Sequence, residues 1–278
     1  MLFENLRMKA AMDTKTLQQA KQQISSELGS AVKVGTSGIV LPVNKAAFPE
    51  EFKTGTRLHY YGSLFNTLEV NSSFYNIPKV STFEKWSNEV PDGFVFTVKL
   101  WRGITHAKKL EYSPSDIDNF MHAANGLDAK KGCLLIQFPA SIRVEYLASV
   151  EKILARIVEQ NRDKPWQLAV ELRHSSWYQE FVYAALAKYN ASLVLHDMPN
   201  SKTPLDYLLS EHANLNCLYL RFHGPSGQYN GSYSNQVIDT YADRIKAWQS
   251  DGKEVYVYFN NTIGSALQNA QRLQEQLS

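Results

Sequence analysis

The sequence predicts an α/β fold in which eight parallel strands, each followed by a helix, close into a single (β/α)8 barrel of the TIM type. Three observations predict it: eight short β-branched runs recur along the chain, helical patterns separate them, and each run ends on polar residues although its interior is apolar. Strands covered on both faces read as near-continuous apolar runs, as these do, whereas half-exposed strands would alternate. The repeat occupies about 245 residues, close to the ~250 typical of a closed barrel.

Residues 14–28 (TKTLQQAKQQISSEL) read as a polar, weakly amphipathic helix stopped by Gly29. The expected organisation is therefore an N-terminal helical extension over 1–30 and a barrel over 31–278. The strands are VKVGTS at 32–37, TLEVNS at 67–72, FVFTVKL at 94–100 and CLLIQF at 133–138, then QLAVELR at 167–173, SLVLHDM at 192–198, CLYLRFHG at 217–224 and VYVYFNN at 255–261. Ser81 and Glu84 have the spacing of a capping box opening the helix after the second strand. Pro91-Asp92-Gly93 supplies a turn before the third strand. Ser113-Pro114-Ser115-Asp116 offers an N-cap, a proline at the first helical position and an acid in the first turn. Residues 263–277 form a last helix. An open doubly wound sheet would carry a GxGxxG phosphate loop after its first strand, and VGTSGIV has no such spacing. No linker or tandem repeat marks a second domain.

With 29 basic and 27 acidic side chains the net charge is +2, so no strong global field recruits nucleic acid or an anionic membrane. No apolar stretch is long enough to cross a bilayer. The first residues, MLFENLRMKAAMD, mix charges into the apolar positions and lack the core of a secretory leader. Cys133 and Cys217 have neither metal-ligand nor redox-motif spacing and read as small buried hydrophobes in a reducing compartment. The expectation is a cytoplasmic protein whose partner is a small molecule, with the oligomeric state unspecified.

In such a barrel the C-terminal strand ends and the loops after them build the active site. Those ends are Ser37, Glu69 with Asn71, Lys99, Gln137, Glu171 with Arg173, His196 or Asp197, Arg221 with His223, and Asn260 or Asn261. Residues two apart on a strand share a face, so Glu69 and Asn71, Glu171 and Arg173, and Arg221 and His223 project together. Buried charges need partners. A structural rim of ion pairs would satisfy them, and so would a hydrated pocket. Three carboxylates (Glu69, Glu171, Asp197) meeting three cations (Lys99, Arg173, Arg221) favour the pocket. His106, on the loop after the third strand with Trp101, is placed to cap it, and Trp177 either shelters it or starts the fifth helix. The segment HGPSGQYNGSYS at 223–234 is long for a strand–helix connection and reads as a substrate-covering loop, with Tyr229 and Tyr233 as contacts.

These features predict an enzyme, of hydrolase, lyase or isomerase type, acting on a small anionic metabolite (phosphorylated or carboxylated) without an organic cofactor. Glu69 or Glu171 is the expected general acid or base, with His223 as partner. Lys99, Arg173 and Arg221 hold the anion, while Asn71, Gln137 and Asn260 orient hydroxyls or carbonyls. One alternative is a metal-dependent hydrolase or isomerase using Mg²⁺, Mn²⁺ or Zn²⁺ on Glu69, Glu171, Asp197 and His223. Against it, three cations crowd the same strand ends and no HxH or HExxH pair is present. Another alternative is a small-ligand-binding protein without turnover. Extended nucleic-acid binding would need a continuous basic stripe, which the mixed charges do not form.

The segments GTSG at 35–38, FNTLEVNSSFYNIP at 65–78, FTVKLWRGITH at 96–106, LLIQFP at 134–139, VELRHSSW at 170–177, YLRFHGPSGQYNGSYS at 219–234 and YVYFNNTIGSALQNA at 256–270 resemble the YecE-like family, also called domain of unknown function 72. The resemblance runs in order along nearly the whole barrel. It implies a TIM-type barrel and supplies no reaction, because the family's activity is not established. The motif positions it points to are Glu69, Asn71, Tyr75, Lys99, His106, Gln137, Glu171, Arg173, Arg221, His223, Gly224, Tyr233, Asn260 and Asn261. One departure is Ile39-Val40-Leu41-Pro42, where the family tends to be aromatic-rich. The N-terminal helix also resembles an addition to the common core.

Overall fold

The computed structural model describes residues 32–162 and 165–278; the expected helix at 14–28, and the extension it belongs to, lie outside them. In chain order the elements are β1 (Val32–Thr36), α1 (Arg57–Leu64), β2 (Thr67–Val70), α2 (Ser72–Tyr75), α3 (Val80–Asn88), β3 (Val95–Lys99), α4 (Arg102–Thr105), α5 (Pro114–Ala124), β4 (Lys131–Phe138) and α6 (Leu147–Gln160). Then follow β5 (Gln167–Leu172), α7 (Glu180–Ala187), β6 (Ala191–Leu193), β7 (Leu195–His196), β8 (Cys217–Phe222), α8 (Asn235–Ser250), β9 (Glu254–Phe259) and α9 (Ala266–Leu277). Every strand pairing is parallel, in two sheets ordered β1-β9-β8-β7 and β2-β3-β4-β5-β6.

The sixth predicted strand is divided. Val194 separates β6 from β7 and donates to the Val170 carbonyl at 2.9 Å. Thr203 then takes over the polar groups of this stretch: its Oγ1 accepts from His196 N–H at 3.2 Å and donates to the Val194 carbonyl at 2.7 Å. A side chain thus occupies positions where a ladder partner would stand, and the pairing stops at His196.

Side chains also replace main-chain pairing between β1 and β2. Asn66 accepts from Val34 N–H and donates to the Val32 carbonyl, both at 3.1 Å. The Tyr61 hydroxyl accepts from Thr36 N–H at 2.8 Å and donates to the Thr67 carbonyl at 3.1 Å. Only at the C-terminal end do the strands meet directly, in a Ser37–Glu69 bridge with Gly38 N–H donating to the Glu69 carbonyl at 2.8 Å. All of these buried backbone groups are satisfied, as they must be away from water.

The two sheets face a shared interior. Cys133 and Leu135 of β4 and Ala169 of β5 pack with Val194 between β6 and β7, with Cys217 and Tyr219 of β8, and with Tyr256 and Tyr258 of β9. The Tyr258 hydroxyl bonds Thr67 and Thr97 of the other sheet at 2.6 and 2.8 Å. Cys133 and Cys217 are free and buried, as small hydrophobes would be, with their sulfurs 3.7 Å apart. Helices cover the outside: α6 buries Val150, Ile153, Leu154 and Ile157, the i, i+3, i+4, i+7 stripe of an amphipathic helix. The Pro91 turn is present, with Phe94 N–H donating to the Pro91 carbonyl at 3.0 Å. The Ser113 cap is present too, its N–H donating to Asp116 at 3.1 Å. The box expected at Ser81 is not formed, because α3 already begins at Val80 with Lys79 as its cap. Among the described residues, no helix is long and apolar enough to cross a membrane.

Candidate functional site

Glu69, Glu171 and Arg221 project from β2, β5 and β8 into one buried cluster. Arg221 donates through Nε and Nη2 to the two oxygens of Glu69 at 2.9 and 2.7 Å, and through Nη1 to Glu171 at 2.7 Å. Tyr219 adds a hydroxyl donor to Glu69 at 2.6 Å, and Asn71 an amide donor at 3.2 Å. The other Glu171 oxygen accepts from Arg173 Nε at 2.6 Å, and Arg173 Nη1 donates to the Tyr229 hydroxyl at 3.0 Å. Burial pushes both carboxyls up, but the guanidinium charges and hydrogen bonds outweigh it. Glu69 stays below the ordinary carboxylate range and Glu171 well below it.

His223 stands behind the two arginines. Arg173 and Arg221 approach its Nε2 at 3.3 and 3.2 Å, and its Nδ1 lies 3.2 Å from Asp197. An arginine can only donate, so Nε2 is the acceptor and Nδ1 carries the proton toward Asp197. Burial, helped by Arg221, keeps the ring neutral by lowering its pKa against the pull of Asp197. Asp197 also accepts from His223 N–H at 2.8 Å and from the Tyr233 hydroxyl, which in turn accepts from Gly224 N–H at 2.6 Å.

In front of this cluster lies a cavity of about 1030 Å³ at the C-terminal strand ends. Of the residues expected at the site, Asn71, Tyr75, Lys99, His106, Gln137, Arg173, Arg221, Tyr229 and Asn260 line it. Glu69, Glu171 and His223, the expected proton carriers, are instead behind its wall and wholly buried. Gly224, Tyr233 and Asn261 are not on the wall either. They brace the loop at 224–234: Asn261 donates to the Gly231 carbonyl at 2.9 Å, and a Cβ on Gly224 would fall 2.2 Å from the Asn230 carbonyl oxygen. His196 is buried with its ring against the Leu172 carbonyl, and Trp177 is core, donating to Ile142 at 2.9 Å.

The balanced set of three carboxylates and three cations separates in space. Glu69 and Glu171 are bound to Arg221 and Arg173, and Asp197 to His223. Lys99 has no carboxylate within ion-pair distance among the described residues, and its Nζ stands 4.1 Å from the centroid of the Phe74 ring. Burial first, then Arg221, brings its pKa down to about 7. His106, lowered to about 4 by burial and by Lys99, is neutral, with its Nε2 3.5 Å from Gln137. The sequence reading missed Arg102 and Phe74, which line the same cavity. Both sit inside the family-like segments FTVKLWRGITH and FNTLEVNSSFYNIP, and Arg102 immediately follows Trp101. Among the described residues, no three His, Cys, Asp or Glu side chains converge to hold a metal ion.

Residues 33–278 match the family described as protein of unknown function DUF72. The chain belongs to the DUF72 family. Among curated members, it is 27% identical over 259 residues to the UPF0759 protein YunF of Bacillus subtilis, covering 83% of this chain and 89% of YunF. With the UPF0759 protein YecE of Escherichia coli it shares 24% identity over 123 residues, 44% of this chain and 43% of YecE. A DUF72 family crystal structure from Thermotoga maritima superposes with a TM-score of 0.71 at 28% identity, over 88% of this chain and 98% of that one. Another, from Enterococcus faecalis, gives 0.70 at 24% identity, over 88% and 95%.

Proposed function

We propose that the two sheets are the halves of one (β/α)8 barrel, and that the cavity at its C-terminal mouth binds a small anionic metabolite and carries acid–base chemistry on it. The barrel reading is supported by the shared interior of β4, β5, β8 and β9 and by the Tyr258 contacts across the sheets. Closure takes place through Asn66 and Tyr61 rather than through a complete ladder.

The observation that carries the anion reading is the composition of the wall: Lys99, Arg102, Arg173 and Arg221 line the cavity, and among the described residues no aspartate or glutamate does. The carboxylates that would attract a cation are turned inward and spent on guanidinium groups. Arg173 and Arg102 present N–H donors to a phosphate or carboxylate. The roles expected for Glu69, Glu171 and His223 shift in this reading. They fix the two arginines, and Lys99, poised near neutrality at the wall, moves the proton.

Titration calorimetry with inorganic phosphate, on the wild type and on Arg173→Gln and Arg102→Gln, tests the anion site. The expected result is binding that weakens at least about tenfold in each variant, the ~1.4 kcal/mol of one lost charge-assisted bond. Unchanged affinity in both variants would sink it. Incubation with a metabolite extract separates turnover from binding: a consumed anion supports an enzyme, and recovery of one intact ligand supports a binding protein.

A further inference from the structure

Ser73 Oγ donates to the Lys99 carbonyl at 2.7 Å, and beyond a register shift between Phe96 and Val98 the strands β3 and β4 pair again at Val98–Leu134 and Lys99–Leu135, so the backbone at this strand end is fixed. From there the side chain reaches the Phe74 ring, and the Arg102 guanidinium lies 5.9 Å from the centroid of the same ring. The amine therefore has an apolar face beneath it and cations around it. Glu69 and Glu171, whose charges reach it, are already bound to arginines. The ring face and the two glutamates favour the ammonium, but burial and the arginines outweigh them and favour the free amine. With its pKa brought down to about 7 from the usual 10.5, Lys99 carries far more free amine at neutral pH than a surface lysine does.

A second observation points to the reaction. Asn71 Oδ1 is buried without a hydrogen-bond partner, although Asn71 lines the cavity. The oxygen is sealed beneath the wall, and a turn of the Asn71 side chain toward the cavity would bring it a hydroxyl or N–H of the bound molecule.

We propose that Lys99 is a covalent catalyst, its Nζ adding to the carbonyl carbon of an anionic aldehyde or ketone held by Arg102 and Arg173 to form an imine. The proposal rests on the reading of the cavity as an anion site and names the substrate class. In the addition, the nitrogen lone pair forms the C–N bond while the carbonyl π pair moves to oxygen. The two N–H protons then depart with that oxygen as water, and the second C–N bond forms. The step is a dehydration and consumes no oxidant or reductant. Asn71 Oδ1 accepts from the carbinolamine hydroxyl, a group present only during the addition. Protonated on nitrogen, the imine draws electrons from the adjacent carbon, which makes its C–H bonds acidic and its C–C bonds easier to cleave, as lyase or isomerase chemistry requires.

The test uses the full chain, incubated separately with pyruvate (a carboxylate ketone) and dihydroxyacetone phosphate (a phosphate ketone) in the presence of sodium cyanoborohydride. Peptide mapping by mass spectrometry then locates reduced adducts. The expected result, with either probe, is a secondary amine on Lys99, at least about tenfold above any other lysine and suppressed by inorganic phosphate. Lys99→Arg, with its fold checked by circular dichroism, should lose that adduct while keeping a cation in place. Even labelling of surface lysines, or no adduct on Lys99 while inorganic phosphate still binds, overturns the imine and leaves the anion site standing. Absence of both labelling and phosphate binding removes the anion site as well.

Discussion

Arg221 of β8 holds Glu69 of β2 by two parallel bonds, Nε to Oε2 at 2.9 Å and Nη2 to Oε1 at 2.7 Å, across a boundary where the two strands belong to different sheets. The pair is 1% and 0% exposed, so neither charge is hydrated and each depends on the other. Removing one partner of such a pair costs about 3–5 kcal/mol, because it strands the other charge in a medium that cannot solvate it. Glu69→Gln should therefore destabilise the fold by about that amount in urea unfolding, and Arg221→Met by no less, since it leaves Glu69 and Glu171 both exposed to each other's charge. A loss under ~1 kcal/mol in both variants would mean that water reaches the cluster.

Stability should fall in acid in two stages, with the sign fixed by the shifts. His196 and His106 have folded pKa values of about 4 against 6.5 unfolded, so the unfolded chain binds more protons between those limits. Their contribution is present above pH 6.5 and is lost as pH falls toward 4. Glu69 and Glu171 are depressed below 4.5, so their contribution is present above 4.5 and is lost as pH drops through the lower folded values. Urea midpoints measured from pH 8 down to pH 3 should fall with the Lys99 penalty until about pH 7, decline again from about 6.5 with the histidines, and steepen below 4.5. His196→Phe should flatten the upper limb and leave the lower one. A curve flat from pH 8 to 5 would contradict the assignment of neutral buried imidazoles.

Much of this arrangement is legible before any coordinates. Apolar runs ending in Glu69, Lys99, Glu171 and Arg221 reveal parallel strands and the end that carries chemistry, because alternation along a strand is fixed by backbone geometry. What a strand end cannot reveal is the depth of a side chain. Glu171 and Arg173 share a face, yet one is sealed and the other lines the cavity. That difference comes from Arg221, fifty residues away, claiming the carboxylate. The same holds for Thr203 ending β7 and for Asn66 and Tyr61 standing between β1 and β2. Each is an ordinary polar residue whose partner is set by tertiary packing. His223 looked like a proton carrier by residue type, and its contacts with two arginines and Asp197 make it a neutral acceptor instead.

Gly35 marks where β1 and β2 approach through side-chain bonds. A Cβ there would lie 2.3 Å from the Thr67 carbonyl oxygen and 2.9 Å from the Tyr61 hydroxyl. Both atoms are fixed, the first by β2 and the second by bonds to Thr36 and Thr67, so neither can retreat. Gly35→Ala should cost about 3 kcal/mol or more, at the upper end for overpacking. Tyr61→Phe, which removes the bridging hydroxyl and leaves Thr36 N–H without it, should cost about 1–3 kcal/mol. If Gly35→Ala is neutral in urea unfolding, the two strands are further apart than these contacts require.

Lys99 offers the sharpest separation of stability from function. Its folded pKa of about 7 lies below the unfolded 10.5, so at pH 6 the fold carries a charged amine that burial and Arg221 disfavour. Between pH 7 and 10.5 the unfolded chain holds more protons, and the penalty shrinks as pH rises. Lys99→Met keeps an unbranched side chain over Phe74, with sulfur in favourable contact with the ring, and removes the charge. The variant should gain about 1 kcal/mol or more at pH 6, in the direction seen when buried charges yield to apolar side chains. The gain should narrow at pH 9. Phosphate affinity should fall in the same variant. In the wild type that affinity should weaken as pH climbs past about 7, where the amine gives up its proton. Paired urea melts and calorimetric titrations at pH 6 and pH 9 would check all of this. Destabilisation at pH 6 would instead show Lys99 to be a structural cation with a carboxylate partner, and both of its proposed roles would fall together.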